Sequence, residues 1–564
     1  MSSTLLKSVL YLPCRFQNGI CRVSTQAIKG YVAENEPMFD YGPGSSERKE
    51  LEEALERHSS QVTDIPIVIG DEEIRTNVVQ YQVAPFDHQK KIASFYYAGA
   101  DLIQKAINVS QQARDAWEKK PLEERSEVFL KAAELASKKY RMDIVAATML
   151  GQAKNVWQAE IDSAAELIDF LRFNVTFAQQ VTSYQPISPN ATTKNTNIYR
   201  GMEGFWAAVT PFNFTAIGGH LPAAPALMGN VSLWKPSDTA MLSNYTVFKI
   251  YREAGLPPGV INFTPAEGVV FGDTITSSPH LAGINFTGSV RTFKHLWKQV
   301  GDNLDTYRTY PRLIGECGGK NMHFVHSSAD VDSVVYGTIR AAFEYNGQKC
   351  SACSRAYIPA SLWPEIKKKL LNIHKEIKMG SPLEKDSFVT AVIDDKAFSR
   401  IKGYLDYAKS SNTVKVLAGG NCDDSKGYFV EPTILECTDP QDKLMQEEIF
   451  GPVLSVYVYT DRDYHEVATL ANNTSPYSLT AAIFCQDPKA RVELCDLLRN
   501  CAGNFYINDK STGSVVGQQP FGGSRLSGTN EKAGGPHYLM KFVSVQSVKE
   551  SMAPLREWRY PSMD

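Results

Sequence analysis

Ala207-Ala208-Val209, Val231-Ser232-Leu233-Trp234, Val260-Ile261-Asn262-Phe263 and Gly283-Ile284-Asn285-Phe286-Thr287 are four short apolar runs separated by stretches long enough for a helix. Runs without a polar alternation suit strands covered on both faces, and strands alternating with helices build a parallel sheet. Between the second and third runs, Met241, Tyr245 and Phe248 fall at helical spacing, and the pattern stops near Gly255, ahead of Pro257 and Pro258. That is a crossover helix with a glycine stop. The class is therefore α/β, and residues 205–287 are a dinucleotide-fold candidate.

Outward from this stretch the pattern changes. Upstream, Glu50 to Gln180 reads as mainly helical, with amphipathic segments at Glu123 to Lys139 and Glu160 to Phe173. Ser183 to Asn197, rich in Asn, Thr, Pro and Ser, reads as an exposed excursion or hairpin. Downstream of Gly319 a second alternating region has strand-like Tyr428 to Leu435 and Pro452 to Tyr459 and a helix from Pro364 to Met379, the mark of a separate α/β domain. The Lys367-Lys368-Lys369 run is diluted by Glu365 and Glu376 and reads as a solvated helix face. Val543 to Val548 partly alternates at the period of a strand, close to the chain end, where pairing between subunits is possible.

Composition narrows the function. Lys and Arg total 59 against 62 for Asp and Glu, so no broad cationic field exists for a nucleic acid or an anionic membrane. No apolar run approaches the roughly 20 residues of a bilayer span. Ten cysteines in 564 residues form no dense framework, which suits a reducing compartment. The opening differs from the rest: Lys7, Arg15, Arg22 and Lys29 occur with scattered Ser and Thr, and no acidic residue precedes Glu34. With Leu5, Leu6, Val9 and Leu10 at spacings that line one side of a short helix, it reads as a mitochondrial transit peptide rather than a merely disordered end.

The chemistry concentrates around Gly347-Gln348-Lys349-Cys350. A cysteine beside a cation and behind a glycine turn sits where a thiolate, the reactive form, is stabilised and reached. Cys350-Ser351-Ala352-Cys353 also spells C-x-x-C, yet no second such pair or paired histidine supplies the rest of a zinc site, and no metal is expected. A buried, inert cysteine is the commoner state of the residue, so the context decides. Glu316 precedes Gly318-Gly319, and glycines admit close approach of another group to the backbone; alone, Glu316 would be a salt-bridged or capping residue. Asn213, in Pro211-Phe212-Asn213-Phe214-Thr215 just past a strand, is either a turn former or an amide aimed at a developing negative charge.

Leu233-Trp234-Lys235-Pro236-Ser237-Asp238, Glu447-Glu448-Ile449-Phe450-Gly451-Pro452 and Gln519-Pro520-Phe521-Gly522-Gly523 complete the set. In this order, from about Glu34 onward, the motifs resemble the aldehyde dehydrogenase superfamily. The resemblance implies a Rossmann-like NAD-binding domain, a second α/β catalytic domain and a small β oligomerisation arm. It implies Cys350 as nucleophile, Glu316 as general base and Asn213 as the side-chain donor of an oxyanion hole, with NAD as cofactor. Lys235 and Asp238 would then bond the adenosine ribose, the carboxylate favouring NAD over its 2′-phosphorylated form. Thr210 lies alongside, Gly288, Ser289 and Val290 open a helix for the pyrophosphate, and Glu448 and Phe450 hold the nicotinamide end. One position departs from many relatives, which repeat a glycine five residues after Gly288 where this chain has Phe293.

Residue boundaries expected on this basis are 1–33 for the transit peptide, 34–182 with 205–315 for the NAD-binding domain, 316–527 for the catalytic domain, and 183–204 with 528–564 for the arm and tail. Around Cys350, Lys349 could hold a substrate carboxylate, as could the backbone of Gly513 and the hydroxyl of Ser514, with Phe214 and Phe521 walling an aliphatic stem. The substrate is thus expected to be a short dicarboxylic-type semialdehyde; the resemblance implies glutamate 5-semialdehyde, with succinate semialdehyde as the alternative. The resemblance adds Glu166 near a substrate amine, homo-oligomerisation, and a mitochondrial matrix location. A catalytically silent protein of the same fold and a cysteine hydrolase without a cofactor are the rivals; no histidine is placed by motif to serve the second.

Overall fold

The computed structural model describes residues 31–563, so residues 1–30 of the presequence reading lie outside the described residues. Two seven-stranded sheets form the frame. In the first the order is Arg312–Glu316, Leu281–Thr287, Phe205–Val209, Val231–Lys235, Ile261–Phe263, Ile67–Ile69 and Glu72–Ile74. The first five strands are parallel, and the last two join antiparallel at one edge. Side chains alternate across this sheet at the period of two that strands impose. Phe205, Ala207, Leu233 and Ile284 face helices Ala100–Glu118, Gly268–Thr276 and Val290–Asp302. Trp206, Trp234 and Phe263 face Leu122–Ser137, Arg141–Gln152 and Leu167–Ser183.

In the second sheet the order is Val414–Ala418, Thr433–Cys437, Val453–Tyr459, Cys353–Pro359, Asn321–Val325, Thr480–Phe484 and Asn504–Ile507, parallel except for the first pair. Helices Val331–Phe343 and Trp363–Glu376 cover one face, with Val335, Ile339 and Ile366 against Ala356, Ile358 and Val456. Asp395–Ser410, Tyr464–Asn473 and Pro488–Leu497 cover the other. Only four residues, Cys317–Lys320, separate Arg312–Glu316 of the first sheet from Asn321–Val325, an interior strand of the second.

Three features differ from expectation. Residues 63–96 are not helical: strands Thr63–Ile65, Ile67–Ile69, Glu72–Ile74, Val79–Ala84 and Asp87–Tyr96 lie there. Several are only three residues long, and Val68 finds its partner at Phe263, far along the chain, so no local period announces them. Residues 528–543, grouped with the arm and tail, instead send Tyr538, Leu539, Phe542 and Val543 into the first core. Helix Trp363–Glu376 ends before Met379 because Ile377 turns extended.

Of the excursion read at Ser183 to Asn197, the last five residues open a strand, Thr193–Arg200, paired antiparallel along its length with Ser544–Ser551. Val545 and Val548 on it are exposed, as are Leu555, Trp558 and Tyr560 beyond it. Lys367 and Lys369 pair with Glu436, Asp332 and Glu365. No described helix is long and apolar enough to cross a membrane.

Candidate active site

Phe205–Val209 neighbours Val231–Lys235 on one side and the later strand Leu281–Thr287 on the other. The order of winding reverses there, and a crevice opens outside the carboxyl ends of such strands. Thr210 and Asn213 follow one of those ends, and Gly288 and Ser289 follow the other. Ser289 caps the helix Val290–Asp302, its hydroxyl accepting the Thr292 N–H at 3.2 Å, and the half-buried Val290 opens that helix beside it. The exposed Ser289 leaves a helix N-terminus facing the crevice.

Phe293 is accommodated by its neighbours. It stacks on Phe286 with ring centres 5.4 Å apart, and a Cβ on Gly315 would come within 2.3 Å of its ring. The aromatic side chain thus fills against a glycine of the adjacent strand. Lys235 is half-buried, and among the described residues the Pro236 carbonyl, at 3.2 Å, accepts from it; desolvation lowers its pKa. One oxygen of Asp238 accepts a hydrogen bond from the Tyr97 hydroxyl at 2.5 Å, while Oδ1 is buried without a partner among the described residues. An orphaned acceptor, a weakly held ammonium and an open helix N-terminus fit a dinucleotide.

Glu316 ends the last strand of the first sheet, and Cys350 sits just before the strand Cys353–Pro359 of the second. The approach to Cys350 is a turn in which Tyr345, Asn346 and Gly347 have φ of 50°, 56° and 64°. Two non-glycine residues in succession in this region cost about 1–3 kcal/mol each, and the surroundings supply the restraint. Asn346 donates to the Thr390 carbonyl at 2.6 Å and accepts the Thr390 N–H at 3.0 Å. Gln348 Oε1 accepts the Ile393 N–H at 2.9 Å. At Gly347 a Cβ would lie 2.3 Å from the Gly451 carbonyl oxygen, so no other residue fits.

Asn213 is buried and donates from Nδ2 to the Gln348 carbonyl at 3.1 Å, which places its amide two residues from the nucleophile. Both Glu316 carboxylate oxygens are buried with no hydrogen-bond partner among the described residues, and burial holds its pKa well above the ordinary value. Glu448 lies against the Cys317–Lys320 link: its Oε1 accepts the Gly319 N–H at 2.9 Å, and burial raises it to about 7. A Cβ on Gly318 would meet that carboxylate at 2.0–2.3 Å. Phe450, at φ 54°, meets Phe212 edge to face at 5.9 Å.

Two expectations fail around the thiol. Cys350 is not poised as a thiolate: burial first, then the charges of Glu316, Glu448 and Glu166, push it up to about 12. Lys349 is not free to meet a substrate, because its ammonium donates to Glu344 at 2.9 Å inside the protein, both side chains nearly inaccessible. The turn at 345–347 folds the chain back so that residues five apart meet.

A cation unremarked in the sequence stands closer to the expected carboxylate site. Lys510 Nζ lies 3.0 Å from where a Cβ would sit on Gly513, itself at φ 97°. The half-buried Tyr506, raised to about 12 chiefly by burial, feels both Ser514 and Cys350, so this segment and the nucleophile share one site. Phe521 is held by its N–H to the Ala533 carbonyl at 2.8 Å. Glu166, at the end of a π-helical turn Glu160–Glu166, is raised to about 8, mostly by burial.

A model of the aldehyde dehydrogenase family matches residues 75–548. The chain belongs to that family. It is 61% identical over 531 residues to the mitochondrial delta-1-pyrroline-5-carboxylate dehydrogenase of Danio rerio, covering 94% of this chain and 95% of the relative. To the enzyme of the same name from Homo sapiens it is 60% identical over 530 residues, 94% of each. Among solved structures, the delta-pyrroline-5-carboxylate dehydrogenase of Mycobacterium tuberculosis superposes with a TM-score of 0.91 at 43% identity, over 97% of this chain and 100% of that one. It has also been solved bound with NAD. As an aldehyde dehydrogenase family member, the protein brings Cys350, Asn213 and Glu316 to the junction of its two sheets, with the dinucleotide crevice opening beside them.

Proposed function

We propose that the protein is an NAD-dependent dehydrogenase that oxidises L-glutamate 5-semialdehyde, the open form of 1-pyrroline-5-carboxylate, to L-glutamate in proline breakdown. The observation that carries this is the convergence of Cys350, Asn213 and Glu316 in a chain about 60% identical, end to end, to relatives bearing that enzyme's name. Cys350 Sγ adds to the aldehyde carbon while its proton passes to a neighbouring carboxylate. The Asn213 amide and the Cys350 N–H hold the oxyanion so formed. When bound, NAD supplies the acceptor for the hydride whose departure leaves a thioester on Cys350. Glu316, ionised, takes a proton from water, the water adds to the thioester carbonyl, and the thiol leaves with its proton restored.

Lys235, Asp238, Thr210, Gly288, Ser289 and Val290 hold the adenosine and pyrophosphate, and Glu448 and Phe450 the nicotinamide end. Gly513, Ser514 and Lys510 receive the substrate carboxylate, Phe214 and Phe521 its stem, and Glu166 its amine. The protein works as a homo-oligomer through the arm at 193–200 and 544–551, and it enters the mitochondrial matrix on its basic N-terminus.

The test is NADH formation from 1-pyrroline-5-carboxylate, beside succinate semialdehyde, with NAD and then with its 2′-phosphorylated form. Preference for the amino acid aldehyde and for NAD is expected. Equal turnover of succinate semialdehyde would overturn the substrate assignment.

A further inference from the structure

Lys154 is a cation sealed inside the protein, and no step of the proposed chemistry uses it. It follows Ala153, at φ 56°, in the turn between helices Arg141–Gln152 and Val156–Ala159, and is 1% exposed. Its Nζ donates to Asp162 Oδ2 at 2.7 Å. Asp162, wholly buried in the π-helical turn that ends at Glu166, accepts the Thr215 N–H on Oδ2 and the Ala216 N–H on Oδ1, each at 2.9 Å. Those are the first donors of the helix Thr215–Leu227, which begins two residues after Asn213. A carboxylate from another segment therefore caps this helix, and Asn213 hangs from its start.

The ammonium also lies over two aromatic faces, Phe214 at 4.0 Å and Tyr345 at 4.6 Å. Phe214 adjoins Asn213, and Tyr345 is the first left-handed residue of the nucleophile turn. One ion pair thus touches the oxyanion donor's helix, the turn that presents Cys350 and the segment that carries Glu166. The same turn is fixed to a fourth strand of chain. Asn155 Nδ2 donates to the Ser387 and Phe388 carbonyls at 3.3 and 3.2 Å, and Thr390 Oγ1 donates to the Ala153 carbonyl. Thr390 in turn holds Asn346.

Stability alone does not account for a buried ion pair, because apolar side chains of the same volume usually hold a core as well or better. What charge adds is direction, since each partner accepts only a few geometries. We propose that Lys154 and Asp162 are positioning residues for the aldehyde chemistry: they set the Asn213 amide and the Cys350 turn in register across the site. The proposal rests on the aldehyde-oxidising reading above, so one of its tests needs no aldehyde.

The decisive variant is Lys154→Met, which keeps the length of the side chain and leaves Asp162 bonded to two backbone donors. Its kcat is expected to fall by about a hundredfold, the usual consequence of a displacement of about 1 Å among reacting groups. The dissociation constant for NAD stays near that of the unaltered protein, while the thermal midpoint falls because the buried Asp162 loses its cation. Alkylation by iodoacetamide, mapped by mass spectrometry, accelerates at Cys350 and at no other cysteine, because the unpinned turn opens. The charge-neutral pair Lys154→Met with Asp162→Asn is expected to fold and to remain slow. A kcat and a Cys350 alkylation rate both within twofold of the unaltered protein, in either variant, would overturn the proposal. Recovery of kcat together with thermal midpoint in the double variant would reduce the pair to a structural role and overturn it equally. Failure of the unaltered protein to oxidise the semialdehyde would instead strike the substrate assignment, and the alkylation result would still decide the positioning.

Discussion

Glu316→Gln separates the two halves of the reaction. The carboxylate is buried with neither oxygen bonded to a described partner, so an amide of the same shape breaks no hydrogen bond, and the whole effect on rate is chemical. Hydride departure does not need Glu316, but hydrolysis of the thioester does. Loss of a general base costs about 10²–10⁴ in rate, or about 3–5 kcal/mol of barrier. Mixing Glu316→Gln with semialdehyde and NAD in a stopped-flow spectrometer should give a burst approaching one NADH per active site, followed by a steady rate lower by that factor.

Stability should move the other way. Burial raises the folded pKa of Glu316, so the folded form binds the proton more tightly than the unfolded chain. The stability this contributes is fully present below the unfolded value near 4.5 and is lost as the pH rises through the folded one. A glutamine, neutral throughout, should therefore match the unaltered protein at pH 4 and melt higher at pH 8. Steady turnover within tenfold of the unaltered protein, or a slow phase without a burst, would refute the assignment of Glu316 as the base for hydrolysis.

Asn213→Ala removes the side-chain oxyanion donor and should lower kcat by about a hundred- to a thousandfold with a much smaller change in KM, read by steady-state kinetics. Gly318→Ala places a Cβ where the Glu448 carboxylate now lies; the carboxylate must leave the Gly319 N–H, and the dissociation constant for NAD, read by protein fluorescence, should rise about tenfold, or about 1.4 kcal/mol. Lys349→Met takes the 2.9 Å partner from the buried Glu344, leaving Arg340 at 4.0 Å, and should destabilise the protein by about 3 kcal/mol, the low end for a broken buried pair, in a denaturant titration. Adding Glu344→Gln should restore both the stability and the KM for the semialdehyde; a KM that stays high in the stable double variant would return Lys349 to the substrate.

The four apolar runs between 207 and 287 are legible because each is a continuous hydrophobic string between helical segments, and each is a strand of one sheet. Ile67–Ile69 is hidden from the same reading, since three residues make no period and its pairing with the strand of Phe263 spans most of a domain. At the site, the residue types of Cys350, Glu316 and Asn213 are visible in their motifs, whereas their partners are not. Lys349 and Glu344 meet only because Tyr345, Asn346 and Gly347 take left-handed conformations. Lys154 and Asp162 are eight residues apart across a broken helix, and their shared contacts come from Thr215 and Tyr345, remote in sequence. Tyr97 reaches Asp238 from 141 residues away in sequence. Local periodicity carries the fold; charge pairing closed by tertiary turns carries the site.

The electrostatics of the site bear on when the nucleophile forms. A thiol pushed up to about 12 by burial and three carboxylates is almost wholly protonated at neutral pH, and the cation next to it in sequence is occupied by Glu344. Placing a thiolate there while Glu316, Glu448 and Glu166 are all ionised would gather four negative charges in one buried space. Each of the three carboxylates is itself raised, so each takes a proton more readily than a surface carboxylate does. The low-cost route to a reactive sulfur is to pass its proton to one of them and keep the net charge of the site unchanged. Any of the three can take it, so replacing Glu316 alone leaves that step open, and in the unaltered protein Glu316 must be free of the proton before it activates water. Activation of Cys350 and the charge state of these carboxylates are on this account one equilibrium, which keeps a soft nucleophile silent until a carbonyl is present to consume it.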